Sequence, residues 1–158
     1  MRKVAFLIIA FSFASYFQAQ DTTSFNFTFN HFALSVKNLD RSVEFYKKVL
    51  NLKEITNRTK IDAIRWLSLG EDKELHLISI LKKSFRINKA IHLGLATSNF
   101  DNFVKGLNIL NIAYSDWPGK SHTITNRADG VKQLYFQDPD GYWIEVNNIG
   151  ENKMDTKL

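Results

Sequence analysis

The chain has 158 residues, 44% of them apolar and 13% aromatic, enough for one core in a single domain or in two small halves that share it. It contains no cysteine, which excludes a lipoprotein anchor, disulfides and thiolate metal ligands together. The formal charge is +5, or +3 without residues 1–20, which hold Arg2 and Lys3 but no acid; the other basic residues are scattered among acids, so no nucleic-acid partner is expected.

Residues 1–20 read as a cleaved signal peptide. "MRK" is basic, "VAFLIIAFSFASYF" is apolar, and "QAQ" supplies a small-residue exit. The apolar run is short of the roughly 20 residues that a spanning helix needs, so no stable membrane insertion is expected after cleavage. The mature protein is then periplasmic or secreted, a compartment that a chain without cysteine tolerates. The domain is expected over 21–148, and the polar segment 149–158 reads as a fraying tail.

From Asn30 the sequence alternates, with His31, Ala33 and Ser35 on one face and Phe32, Leu34 and Val36 on the other. That predicts a half-buried strand. "NLD" ends it, and Asp40 is placed to cap a helix running to about Leu50 with a buried stripe of Val43, Tyr46, Val49 and Leu50. Strand-like runs follow at 52–56, 63–69 and 74–80, the last two joined by "GEDK". Residues 81–90 read as a charged connector, after which the order repeats. A strand runs over 92–96, Asp101 caps a second helix, and a short strand lies near 112–116. After the loop "WPGKSHTITNRADG", "VKQLYFQ" and "YWIEVNN" pair across the turn "DPDG". The fold class is therefore α+β: two tandem βαβββ halves, about 28–82 and 90–148.

The halves also share wording. "HFALSVKNLD" and "HLGLATSNFD" match at His31/His92, Leu34/Leu95, Asn38/Asn99 and Asp40/Asp101, all 61 residues apart. Aligning the last strands sets His76 opposite Glu145, 69 residues apart, the excess falling in the longer second loop. A single histidine at a strand start is most often a core residue bonded to a carbonyl. Three of the four histidines at related strand positions, joined by a carboxylate in an apolar strand, point instead to a metal set: His31, His76, His92 and Glu145. A cation would remove the cost of burying that carboxylate unpaired. Three imidazoles and one carboxylate suit Zn²⁺, Fe²⁺, Mn²⁺, Ni²⁺ or Co²⁺ without choosing among them. In six-coordination two positions stay open for a small-molecule substrate with oxygens on adjacent carbons, towards which the ion acts as a Lewis acid.

The paired halves, the opening "NHFALSVKNLDRSVEFYKKVLNL", the strand "ELHLIS" and the ending "DPDGYWIEV" resemble the vicinal oxygen chelate superfamily over roughly residues 28–148. That group includes glyoxalase I, extradiol dioxygenases, fosfomycin-resistance enzymes and bleomycin-binding proteins. The resemblance implies a cleft between two curled halves, closed within one chain or exchanged across a homodimer. It also implies that His31, His92 and Glu145 occupy the widely shared ligand positions. His76 matches a position that ligates in glyoxalase-like members but not in the dioxygenases or fosfomycin enzymes, and it replaces a carboxylate of glyoxalase I. Glu145 is then ligand and general base. Arg65, Trp117 and His122 are candidates for substrate contact. The reading that follows is an exported, metal-dependent, glyoxalase-like lyase or isomerase. An extradiol-type dioxygenase acting on catechols and a non-catalytic drug-sequestering protein are the alternatives; an exported protein would not meet the abundant thiol that fosfomycin thiol transferases use.

Overall fold

Alternating side chains build both sheets. A computed structural model describes residues 27–80 and 87–149; the signal-like segment 1–20 with the lead-in 21–26, residues 81–86 of the connector and the tail beyond Ile149 lie outside the described residues. The first half comprises β1 (His31–Ser35), α1 (Leu39–Leu50), β2 (Lys53–Ile55), β3 (Ile64–Gly70) and β4 (Lys73–Ile78). The second comprises β5 (His92–Ala96), α2 (Phe100–Ile109), β6 (Tyr114–Ser115), β7 (Thr125–Asn126), β8 (Lys132–Gln137) and β9 (Trp143–Asn147). The first sheet runs β1-β4-β3-β2 and the second β5-β9-β8-β6, with β7 on β8. In each, the first strand lies parallel to the last and the remaining pairs are antiparallel.

The expected elements are present within a few residues of their predicted bounds, with two differences. Helix α1 is capped by Asn38, whose extended backbone lets its side chain accept from the Arg41 amide; Asp40 sits inside the first turn. In α2 the N-cap position is Asn99, again two residues before the expected aspartate. The predicted 117–130 loop also contributes the short strand β7. Between β3 and β4, Glu71 and Asp72 both take positive φ, at 48° and 58°, the two-residue hairpin geometry that matches sheet twist.

One core joins the halves. Leu34, Leu67, Leu75 and Leu77 of the first sheet pack with Val43 and Tyr46 of α1, and continue into Phe100, Leu107, Leu134, Phe136, Ile144 and Val146 of the second half. Polar contacts lock the junction. The "DPDG" turn delivers Asp138 to the Tyr46 hydroxyl at 2.9 Å and Asp140 to the Ser42 hydroxyl and the Lys37 amide, while the Tyr142 hydroxyl donates to the Ser35 carbonyl. Because the helices cover the leucine-bearing faces, the opposite faces, carrying the histidines, stay free of helix.

Candidate metal centre

Strand register places the four ligand-type residues at equivalent points of the two sheets. His76 pairs with Ala33, two residues after His31; Glu145 pairs with Gly94, two residues after His92. On the next strand in, Trp66 faces His76 and Tyr135 faces Glu145. The internal repeat thus extends to the supporting residues.

In the first half the rings are stacked. His76 lies parallel to His31, centroids 4.3 Å apart, and parallel to Trp66 at 4.2 Å on its other face. The Arg58 guanidinium covers Trp66 at 4.4 Å and donates to Glu74 Oε1 at 2.6 Å. His76 Nε2 donates to Glu74 Oε2 at 2.8 Å. Those two hydrogen bonds, from His76 first and from Arg58 second, hold the Glu74 carboxyl below the usual carboxylate range. Nδ1 of His31 donates to Asn30 Oδ1 at 2.7 Å, which leaves its Nε2 as a lone-pair donor.

The second half holds a carboxylate by its edges. Glu145 is buried, and its Oε2 accepts from the Tyr135 hydroxyl at 2.6 Å while Oε1 accepts from the Asn147 amide at 2.9 Å. Gln133 in turn donates to the Tyr135 hydroxyl at 2.8 Å. Burial, and then the bond to Glu145, push the Tyr135 phenol well above its ordinary range, so it remains a donor. His92 Nδ1 donates to the Lys89 carbonyl at 2.9 Å. Its Nε2 lies 3.4 Å from Glu145 Oε2. In the Nδ1–H tautomer, two lone-pair-bearing atoms face each other there, whereas a protonated ring makes the contact an ion pair.

The described part of the chain brings these residues together as two pairs, His31 with His76 and His92 with Glu145. Among the described residues no three His, Asp or Glu side chains converge closely enough to hold a metal. Of the substrate candidates, only Trp117 joins a pair, its ring edge-on to His92 at 6.4 Å and to Tyr135 at 5.5 Å. Arg65 pairs with Leu77 on the helix-covered face and is held by Glu54 and Asp40. His122 lies at the far edge of the second sheet against Tyr114. Glu74, Arg58 and Asn147 were not anticipated; Glu74 and Asn147 stand two residues from His76 and Glu145, a spacing that strand alternation assigns to the same face. A cavity of about 380 Å³ beside this half is lined in part by Ser115, Tyr135, Gln137 and Trp143. Gly94 leaves open space as well, for a Cβ added there would meet nothing within 4 Å.

The model of the Glyoxalase/Bleomycin resistance protein/Dioxygenase superfamily matches residues 28–146. The chain belongs to that superfamily. It is 31% identical over 123 residues to metallothiol transferase FosB of Shouchella clausii, covering 75% of this chain and 77% of that protein. To metallothiol transferase FosB of Staphylococcus saprophyticus it is 27% identical over 122 residues, covering 75% and 74%. The crystal structure of lactoylglutathione lyase from Agrobacterium tumefaciens superposes with a TM-score of 0.57 at 18% identity, over 77% of this chain and 93% of that one. The α+β fold with two βαβββ halves is thus the superfamily fold.

A divalent metal of this superfamily fits the donors present. In the Nδ1–H tautomer, His92 Nε2 and Glu145 Oε2, 3.4 Å apart, are both lone-pair donors of the kind that a divalent cation takes. The protein acceptors on Nδ1 of His31 and His92 set the tautomer that metal-ligating histidines adopt.

Proposed function

We propose that this protein is a divalent-metal-dependent enzyme of glyoxalase-like type, a lyase or isomerase acting on a small molecule with vicinal oxygens. The observation that carries the reading is the Nε2 to Oε2 approach of His92 and Glu145, with every other polar atom of the pair already satisfied by Lys89, Tyr135 and Asn147. His31, His92 and Glu145 would hold the ion, with His76 beside His31. When bound, the ion supplies Lewis acidity to the substrate oxygens. Glu145 takes the substrate proton as general base, steered by the Tyr135 hydroxyl and the Asn147 amide. Trp143 and Tyr135 give the adjoining cavity an aromatic wall for the substrate.

The two pairs belong to separate sheets, so we propose that a complete centre forms between two copies, His31 of one facing His92 and Glu145 of the other. Export through residues 1–20 belongs to the same reading and rests on the sequence of that segment.

Elemental analysis of protein purified without chelator tests it. About one equivalent of a transition metal per chain is expected, lost in Glu145→Ala; equal metal in both, or none in either after reconstitution, would sink it. The two FosB relatives favour a second reading, metal-dependent transfer of a thiol. Assays of the metal-loaded protein on hydroxy-carbonyl substrates without thiol, and on epoxides with it, separate the two. Oxygen uptake with catechols under Fe²⁺ identifies a dioxygenase, and thermal stabilisation by an apolar drug but by no metal identifies a binder.

A further inference from the structure

One lysine ties the turn before β5 to the aromatic wall of the cavity. Asn88 closes that turn, its side chain accepting from the Ala90 amide at 2.9 Å and its carbonyl from the Ile91 amide at 2.9 Å. Lys89, inside the turn, engages the site in two ways. Its carbonyl holds Nδ1 of His92 at 2.9 Å. Its ammonium donates to Ser115 Oγ at 3.1 Å, to the Asp116 carbonyl at 2.9 Å and to the Trp117 carbonyl at 3.2 Å. The same ammonium lies over the Trp143 ring, 4.4 Å from its centroid, and 5.4 Å from that of Tyr135. Three neutral oxygens and two π faces make a cage for a cation, the chemistry by which aromatic sites take up ammonium ligands. Here the chain supplies the ammonium itself. The segment it grips is already turned by Asp116, whose Oδ1 accepts from the Gly119 and Lys120 amides. That turn and the Lys89 bonds together set the Trp117 ring edge-on to His92 and Tyr135. The first half has no counterpart: 61 residues before Lys89 stands Thr28, and His31 Nδ1 relies on its neighbour Asn30.

We infer that Lys89 is a positioning residue whose ammonium, lodged in this cage, fixes the 115–117 segment, the Trp117 ring and the His92 ring as one unit. Its effect on metal binding rests on the reading of His92 and Glu145 as ligands; the cage and the placement of Trp117 do not. An ammonium has three N–H groups, and all three are taken by Ser115, Asp116 and Trp117. Lys89 therefore has no donor left for a substrate, and its task is to hold the wall that a substrate meets. Both rings under the ammonium, Trp143 and Tyr135, line the cavity, and Tyr135 also grips Glu145.

Proton–carbon NMR spectra of the wild type give an answer independent of any variant's folding. The Lys89 Cε methylene is expected upfield of those of solvent-exposed lysines, because the end of its side chain lies over the Trp143 ring; a signal among theirs would overturn the inference. Calorimetric titration with Co²⁺ then compares the wild type with Lys89→Met and Lys89→Ala. Methionine keeps an unbranched side chain of similar length but has neither charge nor N–H donor. Both variants are expected to bind Co²⁺ about 10–100-fold more weakly, the usual effect of losing a residue that orients a ligand, and to shift the indole N–H signal of Trp117. Propylammonium replaces the atoms removed in Lys89→Ala. It is expected to recover most of the affinity and the wild-type Trp117 signal, whereas sodium at the same concentration is expected to recover neither. If Lys89→Met keeps the wild-type affinity and Trp117 signal, the side chain only fills space, and the inference falls while the metal centre stands. Failure of propylammonium to restore either property would overturn it as well. If the wild type binds no Co²⁺, the metal centre itself falls, and the Trp117 signal with and without propylammonium still decides the role of Lys89.

Discussion

Tyr135 connects an amide, a phenol and a carboxylate in one line, and each link constrains the next. Its hydroxyl accepts from Gln133 and donates to Glu145, so removing it leaves two buried polar groups short of a partner. Tyr135→Phe is expected to lower stability by about 1–3 kcal/mol in denaturant melts and to weaken metal binding about 10–100-fold in the same titration. Because the folded-state phenol is raised above its unfolded value, its contribution is intact below about pH 10 and is lost only as the pH climbs beyond that. The equivalent strand positions of His31 and His92, and of His76 and Glu145, were legible because the sequence repeats its strand order and wording. Glu74 and Arg58 were not, because nothing in their local pattern distinguishes an ion pair on a functional face from a solvated one. Arg65, a candidate for substrate contact by sequence, lies one step of strand alternation away on the helix side, where Glu54 and Asp40 engage it.

At the scale of elements, the caps make a sharp comparison. Asn38 has the extended backbone and the Oδ1 that receives the Arg41 amide, whereas Asp40 is already helical. Asn38→Ala is expected to cost about 1 kcal/mol. Asp40→Ala, removing a highly exposed partner of Arg65, is expected to cost less than about 0.5 kcal/mol. Thermal or denaturant melts of the two variants decide between the cap positions. The strands were readable because one face of each sheet is leucine-rich and the other polar, a contrast with period two. Strand β7 was not, since it pairs only at Thr125 and Asn126 within a loop whose composition is that of a turn. Hairpins came through best. "GEDK" and "DPDG" carry their geometry locally, and both form the turns that their residues favour.

Across the whole molecule, the "DPDG" turn does more than reverse the chain. Asp138 is buried against Tyr46 and Asp140 reaches Ser42, so the hairpin of the second half clasps the helix of the first. Burial raises the Asp138 carboxyl above its ordinary value, with the Tyr142 and Tyr46 hydrogen bonds acting against it. A raised folded-state value means that the folded protein takes up this proton before the unfolded one does. The group therefore favours folding most in acid, and that contribution is lost as the pH rises through the folded value. Glu54 runs the other way: the hydrogen bond from Arg65 lowers it, and its contribution is lost as the pH falls. Asp138→Asn removes the first contribution and leaves the second. The stability of the wild type relative to Asp138→Asn is expected to grow as the pH falls from about 7 to about 4, measured by urea melts at each pH. An unchanging difference would show that the clasp does not titrate.

The clasp also determines which surfaces stay open. It draws the leucine faces and helices into one core and leaves the two histidine faces free of helix. The most direct measurement mixes His31→Ala chains with Glu145→Ala chains after brief denaturation and refolding, then counts bound metal. Neither variant is expected to hold metal alone. A centre shared between two copies predicts that the mixture recovers about 0.25 equivalent per chain, because half of the dimers are mixed and each has one intact site. No recovery, although mixed dimers form, would contradict a centre built from two chains.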